Sequence, residues 1–236
     1  MWLDELDSNG ISNAVFLAFH PNNEACLKFI NHSDRFIGFT AINPTEPDAA
    51  ERLERDFKAG FKGVKFYPVS RKFHVDDEKA SGVYEICRKY KAPVMIHFGI
   101  SLGLGTDMRY GNPIDLHSVA KEFADVNFII PHFGAGMMRE CLFLSYHCDN
   151  VYFDSSGSNS WMRYLPYSLT LQKVFRKFID VAGIDRLLFG TDSSFFPRGY
   201  RKDILGAQAH VLRKLVISKR DQEKFFSGNI RRLLRL

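Results

Sequence analysis

Short runs of apolar, β-branched and aromatic residues alternate along this chain with longer stretches in which apolar positions recur every three or four residues. The short runs predict strands at residues 13–19, 35–42, 63–67, 93–97, 126–131, 150–153 and 186–189. Most are continuously apolar, as in Val94-Met95-Ile96 and Phe128-Ile129-Ile130. A strand covered on one face would alternate polar with apolar residues, so these runs predict parallel strands covered on both faces. The longer stretches predict helices, among them residues 47–59, 78–90 and 113–123. Gly60 closes the first of these, and Asn112-Pro113 opens the third with a capping side chain and a proline at the first helical position.

Seven strand–helix units of roughly 30 residues follow without a linker or low-complexity break, which predicts a single α/β domain over residues 1–236. Two architectures meet that pattern, a closed (β/α)8 TIM barrel and an open doubly wound sheet. The open sheet usually carries a glycine-rich phosphate turn after its first strand. Here that strand runs into Ala18-Phe19-His20-Pro21-Asn22-Asn23, without glycine. The glycine cluster Gly99, Gly103 and Gly105 lacks the pattern of either nucleotide-binding turn and reads as a loop over a site. The barrel is therefore favoured, incomplete at its N-terminal side because seven strands are visible rather than eight.

Composition narrows the function classes. With 45% hydrophobic and 25% charged residues, the chain reads as an ordinary globular protein, not as a disordered, collagen-like or disulfide-built one. No run approaches the roughly 18 apolar residues of a membrane span. The start, acidic and amphipathic, is not expected to be a signal peptide. Cys26, Cys87, Cys141 and Cys148 show no CxxC spacing, which suits reduced thiols in a cytoplasmic protein. The net charge of +5 is concentrated in residues 198–236, with eleven Lys or Arg against three Asp or Glu. Those charges lie among Leu, Val and Ile at helical spacing and read as a solvated helix face, so neither a nucleic-acid nor a membrane partner is expected.

Candidate chemistry follows the strands. One strand runs into His97-Phe98-Gly99, another into Pro131-His132-Phe133-Gly134, and a third into Gly190-Thr191-Asp192. In a parallel barrel the C-terminal strand ends converge on one face, where barrel enzymes keep their active sites. Two imidazoles and a carboxylate there would suit a borderline divalent ion such as zinc, which lowers the pKa of a bound water toward about 7. His20 also follows a strand end and is a candidate for the same face. His117 and His147 fall in helices and read as surface residues, whereas His32, His74 and His210 have no evident partner.

Six segments in order carry a family resemblance: residues 60–68 (GFKGVKFYP), 93–97 (PVMIH), 128–134 (FIIPHFG), 151–157 (VYFDSSG), 186–192 (RLLFGTD) and 227–234 (SGNIRRLL). Over residues 10–236 the chain resembles the amidohydrolase-related metal-dependent hydrolases, in the branch of aminocarboxymuconate semialdehyde decarboxylase and related aromatic-acid decarboxylases. The resemblance implies a (β/α)8 barrel holding a divalent metal, usually Zn2+. It implies His97 as a metal ligand, Asp192 as ligand or base, and His132 as the acid/base beside a metal-bound water. Family members open with a strand bearing His-x-His, which supplies two more ligands. That motif is absent here, and an upstream segment carrying it would account for the missing strand. With seven strands, the two flanking the gap are expected to expose apolar edges and to lower stability.

In some distant relatives a carboxylated lysine bridges two metals, but Lys65 is expected instead to form an ion pair or face the helices. Tyr67, Phe98, Arg109, Tyr110, Trp161 and Arg198 fall after strands and are the candidate substrate-binding residues, with Arg109 or Arg198 able to grip a carboxylate. The expected function is that of a metal-dependent hydrolase or C–C lyase (decarboxylase) acting on a small carboxylated molecule, as a possible homodimer. The alternatives are a metal-independent lactonase-type hydrolase with Asp192 as base, and a catalytically inactive barrel that binds a partner.

Overall fold

The structure, a computed structural model, describes residues 1–19, 22–101, 103–194 and 196–236. Its strands are β1 (Ala14–Leu17), β2 (Phe36–Ala41), β3 (Gly63–Phe66), β4 (Val94–Ile96), β5 (Phe128–Ile130), β6 (Val151–Asp154) and β7 (Leu187–Leu188). They pair in chain order, every neighbour parallel, in one seven-stranded sheet. Six strands lie inside the runs that predicted them, shortened where the chain leaves the ladder, and β6 runs one residue past its predicted end at 153, to Asp154.

Alternation along the strands makes two apolar layers. Val64 and Phe66 of β3 join the layer between sheet and helices, with Leu53, Phe57 and Tyr84. Phe39, Met95, Ile129 and Leu188 face the other way and form a smaller inner cluster. Val15 of the first strand and Leu188 of the last belong to that same inner cluster, so the sheet curls back toward itself as a barrel does. Among the described residues β1 and β7 do not pair, and the barrel is open between them.

That opening is better covered than the sequence suggests. The C-terminal helix Asn229–Leu234 sends Ile230, Leu233 and Leu234 against the inner cluster. Buried Asn229 fastens this helix, donating 2.8 Å hydrogen bonds to the carbonyls of Ile184 and Leu187. The β7 edge is further tied by the Phe189 N–H, which donates to the Phe225 carbonyl at 3.2 Å. On the other side, Trp2 of the helix Trp2–Ser8 packs at 5.3 Å against both Phe16 and Phe196. The expected exposed apolar edge is thus confined to β1, where Leu17 is exposed and Ala14, Val15 and Phe16 are half-buried.

Candidate active site

β4 delivers His97 to the open face, and β5 delivers His132 through a turn of four residues, Pro131–Gly134. The two imidazole centroids stand 5.2 Å apart. His132 has φ +57° and Asp192 φ +55°, a region that costs a side-chain-bearing residue free energy and is retained where the surroundings demand it. Gly157, after β6, marks where these two meet. A Cβ built on it would lie 3.2 Å from His132 Nδ1 and 3.6 Å from Asp192 Oδ2. Imidazole and carboxylate therefore converge on a space that only glycine leaves free.

The His132 tautomer follows from its partners. Nδ1 lies 3.0 Å from the carbonyl oxygen of Ser156 and 3.0 Å from its hydroxyl. A carbonyl only accepts, so Nδ1 carries the hydrogen and Nε2 of the neutral ring keeps its lone pair. His97 differs. Its Nδ1 is buried without a hydrogen-bond partner, and burial, reinforced by Lys65 and His132, holds its pKa well below the usual imidazole range. His97 is neutral.

Asp154, Ser156, Gly190 and Gln208 complete the frame. Asp154 Oδ1 accepts the Ser156 N–H at 2.5 Å. Gly190 follows β7, and a Cβ there would press to 2.7 Å from Ser156 Cβ and 3.0 Å from both Asp154 oxygens. Buried Gln208 accepts from the Ser155 hydroxyl at 2.7 Å and donates at 3.0 Å to the carbonyls of Ser155 and Gly190, binding the ends of β6 and β7 together. The segments holding Asp154, Ser156 and Gly190 are visible in the sequence as family pattern. Gln208 sits in an amphipathic helix and gives no signal there.

Lys65 sits on the inner face of β3, in register with Met95, and not in the helix layer. It is 2% exposed, and its amine makes neither a hydrogen bond nor an ion pair with any described residue. Its Nζ reaches the Tyr67 ring, 5.3 Å from the centroid. Burial lowers its pKa to about 7, against the opposing pull of Asp154 and Asp192. The Tyr67 hydroxyl donates to the Ala18 carbonyl at 3.1 Å, and burial above all pushes its pKa up.

The other candidate substrate residues do not gather here. Phe98 and Trp161 are core residues, 1% and 5% exposed, the latter donating its indole N–H to Asn159 at 3.0 Å. Both looked like loop residues because each closely follows a strand, but the chain turns inward there to bury the ring. Arg109 is exposed and spends its guanidinium on Asp107. Tyr110 packs its ring 4.7 Å from that of His74, and Arg198 is exposed. His117 and His147 are on the surface, as expected, with their rings 5.6 Å apart. His20 lies outside the described residues.

As metal donors, neutral His97 and the Asp192 carboxylate fit in kind, and the unpartnered Nδ1 of His97 is the type of group a cation would satisfy. In number they fall short. No three His, Cys, Asp or Glu among the described residues are grouped to hold an ion, whereas catalytic zinc takes three protein ligands. The described residues alone do not make a zinc centre.

A family model for amidohydrolases matches residues 3–236. The chain belongs to the amidohydrolase family. Similar solved structures include an uncharacterised TIM-barrel protein from Bordetella bronchiseptica, at 22% identity and TM-score 0.76, covering 99% of this chain and 81% of that one. A 2,6-dihydroxybenzoate decarboxylase from Rhizobium is similar at 19% identity and TM-score 0.72, with 99% and 87% covered. An amidohydrolase from Burkholderia multivorans with bound zinc is similar at 13% identity and TM-score 0.74, again with 99% and 87% covered. At these identities the likeness is one of fold, and it makes the sheet an incomplete (β/α) barrel. No curated protein matches the chain.

Proposed function

We propose that this amidohydrolase-family chain hydrolyses or decarboxylates a small carboxylated molecule by acid–base chemistry between Asp192 and His132. The observation that carries this reading is their convergence beside Gly157, each at a left-handed backbone position after a strand. Asp192 is exposed and able to meet a water, and His132 offers Nε2 as acceptor because Ser156 occupies Nδ1. For hydrolysis Asp192 takes the proton of the attacking water, and the leaving group receives it, directly or through His132. The family likeness to decarboxylases and hydrolases supports this reaction range, and four unpaired cysteines suit a cytoplasmic enzyme.

A second reading is favoured by His97. Its buried, unpartnered nitrogen and neutral ring suit a ligand of a divalent ion such as zinc, with which one fold relative was solved. Such an ion would activate water and polarise a carbonyl. The test is turnover on a panel of esters, lactones and aromatic carboxylic acids. His132→Asn and Asp192→Asn should each lose about 100-fold or more; full turnover in both would overturn the acid–base reading. Loss of activity on chelation, restored by zinc, would favour the second reading.

A further inference from the structure

We propose that Lys65 is the electrophilic cation of this site, its ammonium facing the carbonyl oxygen of an ester or lactone substrate. This rests on the acid–base reading above. Lys65 is a charged side chain on the inner apolar layer, 2% exposed, whose donors meet no acceptor among the described residues. A lysine carried on an apolar inner face, with its three donors meeting no described acceptor, leaves them available to an acceptor on another molecule. The amine is not lost among the inner apolar side chains: it reaches the Tyr67 ring, at the level where the strands end and where His97 begins.

Charge points the same way. Burial lowers the Lys65 pKa to about 7, and Asp154 and Asp192 pull the other way, so the two carboxylates are what keep the amine protonated at and below neutral pH. Arg201, which the charge of Asp192 reaches, is committed to Asp203. The site thus has two carboxylates, two imidazoles and a lysine, and among the described residues no three His, Cys, Asp or Glu are grouped to hold a metal ion. In hydrolysis, the water oxygen bonds to the carbonyl carbon and Asp192 takes the water's proton. The carbonyl π pair moves onto oxygen, which becomes an anion opposite the ammonium. The pair then returns, the bond to the leaving oxygen breaks, and that oxygen takes the proton held by Asp192. The products are a carboxylic acid and an alcohol, or one hydroxy acid from a lactone. A fixed cation aimed at the developing anion strengthens in the transition state, which lowers the barrier rather than tightening substrate binding.

The experiment compares kcat and KM of wild type, Lys65→Met, Lys65→Arg, His132→Asn and Asp192→Asn with dihydrocoumarin as the lactone. The expected result is a fall in kcat of about 100-fold in Lys65→Met with KM little changed. Arginine should recover about 10-fold of that loss. Near wild-type kcat in Lys65→Met, with His132→Asn and Asp192→Asn inactive, would overturn the role of Lys65 and leave the acid–base reading standing. Full activity in all variants would overturn both. Should Lys65→Met fail to fold, Lys65→Arg decides: activity within about 10-fold of wild type supports the proposal, and a loss as deep as that of Asp192→Asn refutes it.

Discussion

In Gly157→Ala the added methyl would lie 3.2 Å from His132 Nδ1 and 3.6 Å from Asp192 Oδ2, on a backbone at φ +81°. Two separable costs follow. A side-chain-bearing residue at a left-handed φ costs about 1–2 kcal/mol. In a chain of this size each kcal/mol shifts the melting temperature by about 2–4 °C, so a fall of about 2–8 °C is expected. The second cost is functional: the methyl occupies the space on which the imidazole and carboxylate converge. A displacement of about 1 Å at reacting groups costs about 100-fold in rate, and at least that loss of kcat/KM is expected. Gly183→Ala is the matched control. Gly183 has φ +80°, but its Cβ would meet nothing within 4 Å, and it caps the helix Leu171–Ala182 away from the site. At ψ 156° Gly183 lies in a region essentially reserved for glycine, so its substitution should lower the melting temperature at least as much and leave turnover unchanged. Thermal unfolding and steady-state kinetics on both proteins settle the matter. If Gly157→Ala turned over at the wild-type rate, the space beside Gly157 would not be where the reaction occurs.

Asn229→Ala removes two 2.8 Å hydrogen bonds and leaves the Ile184 and Leu187 carbonyls without the amide that joins the C-terminal helix to β7. At about 1 kcal/mol per bond, plus the cost of unsatisfied buried carbonyls, chemical denaturation should show a loss of about 2–4 kcal/mol; a loss below about 0.5 kcal/mol would mean that the inner apolar contacts alone hold this helix. Lys65 predicts an unusual pH dependence. Its folded pKa, about 7, is below the ordinary 10.5, so between those values the unfolded chain binds more protons. The penalty for burying the ammonium is fully present below pH 7 and fades as pH rises toward 10.5, so wild type should gain stability relative to Lys65→Met across that window. Parallel stability curves for the two proteins would show that Lys65 titrates normally.

Hydrophobic periodicity determined the architecture, since a strand buried on both faces must be apolar throughout and a helix on one face must repeat near every third or fourth residue. For that reason all seven strands, their parallel sense and the missing partner beside β1 were legible before any coordinates. Strand-end position likewise singled out His97, His132 and Asp192. Only the tertiary structure decided which neighbours mattered. Lys65 and Val64 are adjacent in sequence yet face opposite layers, and which of the two faces is the inside of the barrel is settled only when the sheet curls. Phe98 and Trp161 are likewise ordinary aromatic residues near strand ends until the turn of the chain buries them. Gln208 joins β6 to β7 from a helix more than 50 residues beyond Ser155, a separation over which local pattern carries no information. The chemistry of single residues is local and can be read in order, whereas charge balance, tautomer and free space arise from distant segments meeting, and those exist only once the chain has folded.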